Sequence, residues 1–457
     1  MELFRKISDN PSIVWINGEV VAERIDADYY HANHIQLNKS KIPMFKISTY
    51  CYLSKKRFNP NKYNKEYFKY IDISNVDNNT GVFEYQLVNI NEAPSRARKK
   101  VSKNDIIIST VRPNRNAVAI VNIEDDELVV STGFAVIECK KNIDSYYLFA
   151  VLKTSNSIGQ LVRKTSGGLY PAVSEQDVME IEIPIPSPEI QKYIGDKVRK
   201  AEELREEAKR LKKEAEEILN KELNLKDVEF YIKQANNKKY SWTESIEIED
   251  RIDSEFYKPK YRYLSKLNNM SELSYYYKIS KKRINKNIDR KIKYIDLSSV
   301  NNIIEPSDFN TKELPSRAQF LVKEGNLIIS TLKGSNKISI IPEHLNDSVC
   351  STGFIVIASK SHLTTEYLYL VFSNKVFNMQ IERYSTGSIM SGVNHDNFNK
   401  MLIPVISNKQ IIDTITNKIR KHFRLLYYSK QLIQEAKQDV EDLIEGNFDM
   451  SKVKANN

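Results

Sequence analysis

The sequence predicts an α+β protein in which one frame is used twice. It comprises two homologous mixed α/β domains, each followed by a long helix, with the two helices pairing as an antiparallel coiled coil. Three observations predict this. Ordered segments recur at a slowly drifting offset. Short β-branched runs, broken by Asn, Asp, Gly and Pro, fill the space between them. Each copy then ends in an apolar stripe at helical spacing.

The recurrence runs through the whole chain. "ERIDADYY" (Glu23–Tyr30) matches "DRIDSEFY" (Asp250–Tyr257) at an offset of 227, and "SKKRFN" (Ser54–Asn59) matches "SKKRIN" (Ser280–Asn285) at 226. "KYIDISNV" (Lys69–Val76) matches "KYIDLSSV" (Lys293–Val300) at 224. "PSRA" from Pro94 and from Pro315, and "DIIIST" against "NLIIST", match at 221. "STGFAVI" (Ser131–Ile137) matches "STGFIVI" (Ser351–Ile357) at 220, and "IPIPSPEIQ" matches "IPVISNKQI" at the same spacing. Order is kept and the offset shrinks gradually, as small loop deletions would cause.

Within each copy, "DIIISTV", "AVAIV", "ELVVSTGFAVIEC" and "MEIEIPI", with partners "NLIISTL", "KISII" and "STGFIVIA", read as strands. "SYYLFAVLKTSNSIGQLV" and "TEYLYLVFSNKVFNMQIE" read as amphipathic helices. Pro188 opens the first long helix, whose stripe is Ile190, Ile194, Val198, Ala201, Leu204, Ala208, Leu211, Ala215 and Ile218, flanked by a Glu206–Arg210 pair at i,i+4. Ile412, Ile415, Ile419, Leu426, Ile433, Ala436, Val440 and Leu443 make the second stripe, interrupted between His422 and Lys430. "LNLKDVEFYIKQANNKKYS" reads as a polar linker. The frame divides the chain into a first domain (1–185), a first spacer helix (186–225), a second domain (226–405), a second spacer helix (406–446) and a polar tail (447–457).

Lys and Arg number 69 against 59 Asp and Glu, a net charge of +10 that biases the chain toward an anionic partner. The 26 Tyr beside 2 Trp suit polar, wet interfaces, and equally an AT-rich genome. No apolar run approaches a membrane span and the N-terminus lacks a signal-peptide core, so the expected location is the cytoplasm with no membrane partner. Cys51, Cys139 and Cys350 are read as small core residues, without zinc-site spacing.

Enzyme signatures are missing: no GxGxxG, no phosphate-binding GxxxxGK[ST], no HExxH and no GxSxG. His31 and His34 share a spacing of three but lack an acidic or Cys partner nearby. The repeated acids, Asp26 with Asp253 and Asp72 with Asp296, are read as caps or Arg partners rather than catalysts. The expectation is no catalytic residue, no metal and no cofactor in this chain.

Basic residues at strand ends and turns are the candidate DNA contacts. Lys55, Lys56 and Arg57 match Lys281, Lys282 and Arg283. Arg96 matches Arg317. Arg98, followed by Lys99 and Lys100, stands where the second copy has Gln319. Arg112 and Arg115 sit in a turn whose counterpart carries Lys333 and Lys337, and Arg163 and Arg383 each precede a Gly-containing turn. Lys and Arg neutralise phosphates, and Arg also reads base edges. Where the copies agree, a role in the fold or in backbone contact is expected. Where they diverge inside a matched frame, readout is expected, so Arg98 is favoured for a base and Arg96 for a phosphate.

In "RIDADYY" and "RIDSEFY", "PSRAR…NDIIISTVRPN", "STGFAVI" and "IEIPIPSPEIQKYI" with its long helix, all in tandem, the chain resembles the specificity subunits of type I restriction–modification systems over nearly its whole length. The second copy departs at "PVISNKQI", and the first has Ile190 before Gln191. The resemblance implies two target-recognition domains separated by spacer helices and a bipartite, asymmetric site on double-stranded DNA. It implies two methyltransferase subunits and motor-nuclease restriction subunits as partners, which hold S-adenosylmethionine, ATP and Mg. A related fused nuclease–methyltransferase system, or a coiled-coil interaction scaffold, are the alternatives.

Overall fold

The structure, a computed structural model, describes residues 4–9, 12–16, 40–165, 170–236, 242, 248, 251–387 and 391–454. "ERIDADYY", with Asp26, and His31 and His34 lie outside them. The chain forms two units, Met1–Leu204 with Tyr428–Asn457, and Arg205–Tyr427.

In the first unit, β1 (Phe4–Asp9) pairs antiparallel with β2 (Ser12–Ile16), and β3 (Met44–Lys46) with β12 (Glu182–Pro184). Two four-stranded sheets carry the core. One is ordered β4 (Cys51–Leu53), β11 (Phe134–Cys139), β8 (Ile106–Ser109), β9 (Val118–Ile120), all antiparallel. The other is ordered β6 (Gln86–Asn89), β5 (Tyr67–Ile71), β10 (Leu128–Ser131), β7 (Ala97–Lys100), with β10 parallel to β5.

Within "DIIIST", Ile106, Ile107 and Ile108 are apolar at every step because β8 is covered on both faces. Ile106 and Ile108 join the cluster that includes the helices, whereas Ile107 joins the cluster holding Ile71, Leu128 and Val130. "ELVVSTGFAVIEC" crosses from one sheet to the other at Thr132 and Gly133. Cys51 and Cys350 are buried, and Cys139 is half-buried opposite Cys51 in the β4–β11 ladder.

After α1 (Ile47–Tyr50), the stretch expected as one amphipathic helix is two: α2 (Ser145–Leu152) and α3 (Ser155–Arg163). The Thr154 hydroxyl accepts the Ser157 N–H and starts a new helix, a competition that sequence periodicity does not register. Nor is α2 amphipathic, since Tyr147 to Leu152 are all buried. α4 (Glu175–Met179) follows, started by a Ser174–Asp177 capping box.

The long helices are α5 (Pro188–Glu222) and α11 (Lys409–Glu445), and the unit boundary falls inside both. In the first unit, Ile190, Ile194, Val198 and Ala201 of α5 share a core with Leu432, Ile433, Ala436, Val440 and Leu443 of α11. Lys197 pairs with Asp439 at 2.6 Å, and Asp439 also holds Lys452. The tail is therefore docked: Phe448 meets Tyr193, and Val453, in α12 (Ser451–Lys454), is buried.

Among the described residues, the second unit repeats the strand order of the β3–β12 pair and of both four-stranded sheets. β13 (Met270–Glu272) pairs with β22 (Leu402–Pro404). β14 (Tyr277–Ile279), β21 (Phe354–Ser359), β18 (Leu327–Ser330) and β19 (Ile338–Ile340) form one sheet. β16 (Ser307–Asn310), β15 (Lys291–Ile295), β20 (Val349–Ser351) and β17 (Ala318–Leu321) form the other. α8 (Thr365–Ser373) and α9 (Lys375–Tyr384) split at Asn374, whose side chain caps Val376 N–H; α7 (Leu273–Tyr276) precedes them and α10 (His395–Asn399) follows.

Three local expectations are corrected here. The presumed linker is helical over α6 (Leu225–Asn236), with Leu225, Val228, Ile232 and Ala235 buried at steps of three and four. Arg210 pairs with Glu207 and Glu214 rather than Glu206. The gap in the α11 stripe is not a break, because His422, Phe423 and Ser429 are buried there. Within this unit α5 and α11 run antiparallel, with Lys421 on Glu207 and Lys418 on Glu214.

Candidate nucleic-acid interface

The repeated motifs meet at a turn. In the first unit, Ser131 Oγ accepts the Gly133 N–H and closes the "STGF" turn. Thr132 N–H donates to the Arg96 carbonyl at 2.8 Å, and Gly133 carbonyl accepts Thr110 N–H at 2.8 Å. Thr110 carbonyl in turn accepts Val173 N–H, and Pro171 carbonyl accepts Arg112 N–H. "PSRA", "IIST" and "STGF" are thus joined backbone to backbone, with Ala97 fully buried beneath.

The second unit makes the same net. Thr352 N–H donates to Arg317 carbonyl, Thr331 N–H to Gly353 carbonyl, Val393 N–H to Thr331 carbonyl and Lys333 N–H to Ser391 carbonyl, all between 2.9 and 3.0 Å. Ala318 is fully buried. Buried backbone polar groups must find partners, so this net accounts for the repeated letters without assigning them chemistry.

Around this hub the candidate residues fall into two groups. Lys55, Arg57, Arg96, Arg115, Lys281, Lys282, Arg283, Arg317 and Lys333 are exposed. Arg57 and Arg283 sit on bridges to Lys99 and Phe320, which places each beside the strand that "PSRA" opens. Lys56 is exposed but contacts Ser102 and pairs with Glu138 at 3.1 Å and Asp105 at 3.7 Å. Burial lifts the Asp105 carboxyl above its usual range, against the pull of Ser102 N–H and Lys56. Lys337 is tied to Asn301 at 2.6 Å, and burial, then Lys281, holds His395 below the ordinary imidazole range.

The others are partly committed to the fold. Arg98 is half-buried, with Nη1 donating to Ala97 carbonyl at 3.1 Å, and its counterpart Gln319 likewise donates to its own turn, at Ser316. Arg163 is half-buried at the end of α3. Arg383 lies over the Phe256 ring at 4.1 Å and donates to Phe256 carbonyl, so it fastens "RIDSEFY" to α9 rather than standing before a free turn. Arg112 lies over the Tyr170 ring at 4.8 Å.

Lys99 is buried, its ammonium on Phe134 carbonyl and Glu175. Lys153, overlooked in the sequence, is also buried and holds Asn78 and Asn116 carbonyls. Asp253 pairs Arg251 and accepts Phe256 N–H, while Asp72 and Asp296 cap short turns. Among the described residues no group of three His, Cys, Asp or Glu could hold a metal, and no helix is long and apolar enough to cross a membrane.

Exposed cations thus recur in both units at matched positions of the repeated frame. Residues 43–217 match the family described as type I restriction modification DNA specificity domain. The chain is 28% identical over 144 residues to the type I restriction enzyme HindI specificity subunit of Haemophilus influenzae, a stretch that spans 31% of that relative's length and 31% of this chain. The solved HsdS subunit from Thermoanaerobacter tengcongensis aligns with 19% identity over 89% of this chain and 97% of that one, at a TM-score of 0.35. The type I restriction-modification S subunit from M. genitalium aligns with 13% identity over 90% and 97%, at 0.43. The match to that family covers residues 43–217, and the chain spans about a third of the length of the curated relatives it resembles.

Proposed function

We propose that the chain is the non-catalytic DNA-recognition subunit of a type I restriction–modification complex. It binds a bipartite, asymmetric site on double-stranded DNA and directs adenine methylation or restriction by partner subunits. The observation that carries this reading is the duplicated hub: one backbone net, made twice, with some neighbouring side chains kept (Arg96 and Arg317) and others changed (Arg98 against Gln319, Arg112 against Lys333). A shared scaffold with different projecting residues suits two unlike half-sites. Residues 1–185 and 226–405 are the two recognition domains. Residues 186–225 and 406–446 pair as a coiled-coil spacer that sets the gap between half-sites, and 447–457 form the tail. Lys55, Lys56, Arg57, Arg96, Arg115, Lys281, Lys282, Arg283, Arg317, Lys333 and Lys337 supply phosphate contacts; Arg98, Arg112 and Arg163 face the first half-site. Two methyltransferase subunits and the motor-nuclease subunits bind this chain in the cytoplasm and carry S-adenosylmethionine, ATP and Mg.

The test is methylation of a randomised DNA library by the chain assembled with its methyltransferase partners. The expected result is one bipartite adenine consensus, and no methylation by the chain alone. Methylation without a consensus would sink the proposal. Exchanging residues 1–185 for another recognition domain should alter one half-site only.

A further inference from the structure

We infer that Tyr170 is a specificity-positioning residue, which holds the Arg112 guanidinium in place to read a base in the half-site of the first unit. This rests on the recognition reading above and adds to it a residue that sequence reasoning did not single out. Three observations carry it.

Tyr170 is 62% exposed, yet its ring is not idle, for the Arg112 guanidinium lies 4.8 Å from its centroid. Arg112 makes no ion pair with any described carboxylate, so its fork of donors stays available to an outside acceptor. A stacked guanidinium loses less freedom on binding than a loose one.

The backbone is bent to make this presentation. Arg112 has φ 50° and Asn116 φ 54°, the left-handed region that non-glycine residues enter at a cost. Between them Pro113–Arg115 form a tight 3-10 turn. Arg112 N–H donates to Pro171 carbonyl at 2.7 Å, and Val111 bridges Ala172, so the segment carrying Tyr170 is clamped to the turn carrying Arg112.

The second unit keeps the clamp and drops the device. Lys333 N–H donates to Ser391 carbonyl and Leu332 bridges Gly392, matching the first unit. There the positive φ, 79°, falls on Gly334, where it costs little. Lys stands in place of Arg, and a flexible ammonium offers no planar fork. Strain therefore accompanies the Arg–Tyr pair and is absent where the pair is absent.

The experiment uses the full chain assembled with its methyltransferase subunits and reads methylated adenines in a randomised library. Arg112→Ala should lower the preference for one base, at one position of one half-site, by about tenfold or more. Tyr170→Ala should lower the preference at that same position, and Tyr170→Phe, which keeps the ring, should retain the wild-type consensus. Thermal unfolding of the variants should match wild type, because Tyr170 is exposed. An unchanged consensus in Tyr170→Ala, a change in the other half-site, or a uniform fall in methylation would overturn the inference. A wild-type assembly that methylates without a bipartite consensus fails the recognition reading itself, an outcome distinct from all of these.

Discussion

The two units solve the packing of α5 against α11 differently. In the first, a carboxylate is taken into the seam. Asp439 is 2% exposed and is held by Lys197 and Lys452. Burial pulls the Lys197 ammonium toward its neutral form, but Asp439 overrides this and leaves its pKa raised. In the second unit one of the buried polar groups is a neutral imidazole. His422 Nδ1–H donates to the Ala208 carbonyl at 2.8 Å, and the ion pairs, Lys418–Glu214 and Lys421–Glu207, stay at the rim. A heptad stripe fixes which face is buried. It does not dictate how a polar residue on that face is satisfied.

Removing one partner of a buried ion pair is costly, because the remaining charge loses its compensation. Asp439→Ala should therefore have the largest effect, destabilising the first unit by about 3 kcal/mol. Amide exchange should accelerate in residues 188–204 and 428–454 while residues 205–427 stay protected. Glu214→Ala, on the half-buried pair at the rim of the second unit's seam, should shift the unfolding midpoint much less than Asp439→Ala. Equal loss in the two variants would erase the distinction between the seams.

The second seam should instead respond to acid. Burial, with Lys212 adding to it, lowers the His422 pKa from 6.5 to about 4 despite the Ala208 hydrogen bond. Between these values the unfolded chain binds a proton that the folded chain refuses, so stability falls as pH drops from 6.5 toward 4. The full loss is about 3 kcal/mol, with most of the change between pH 6 and 4.5. Urea titrations at pH 7 and pH 4.5 should show it in the second unit, and His422→Leu should flatten the dependence. A pH slope unchanged in His422→Leu would assign the acid sensitivity to other groups.

These differences mark where sequence reading ends. The duplicated frame, the strands and the two long helices were legible because they depend on period and on order. The hub was legible as letters but not as a cause, since "PSRA" and "STGF" are paired through backbone atoms from segments far apart in sequence. The commitments of the repeated acids Asp72, Asp253 and Asp296 were legible as caps or an Arg partner, whereas those of several cations were not. Lys99, Lys153 and Arg383 look like surface cations, yet they hold Glu175, Asn78 and Phe256, partners that only the fold brings near. α6 was missed because Lys226, Asp227, Lys233 and Gln234 mask an apolar stripe of four residues.

The hub offers a finer contrast. A Cβ added at Gly133 would stand 2.7 Å from Ile73 Cδ1, whereas one at Gly353 would stand 3.4 Å from Leu297 Cδ1. Neither glycine needs a left-handed backbone, so space alone decides. Gly133→Ala should cost about 1 kcal/mol as Ile73 is displaced, and Gly353→Ala should be close to neutral by thermal unfolding. Equal costs would mean that the "STGF" glycine is required for backbone reasons shared by both units.

The smallest and most selective effects belong to the arginines. Arg96 and Arg317 place their carbonyls in the same hub position and expose their side chains, and the proposed function gives both the same contact with phosphate. Arg96→Ala and Arg317→Ala should each weaken binding to all DNA sequences alike and reduce the slope of log affinity against log salt by about one. Arg98 differs. It is half-buried and anchored to Ala97 carbonyl, and Gln319 replaces it in the second unit. Arg98→Ala should leave the salt slope nearly intact and relax one position of one half-site. If Arg98→Ala behaves as Arg96→Ala does, divergence inside a matched frame is not a guide to readout in this chain, and the repeated and unrepeated cations have the same job.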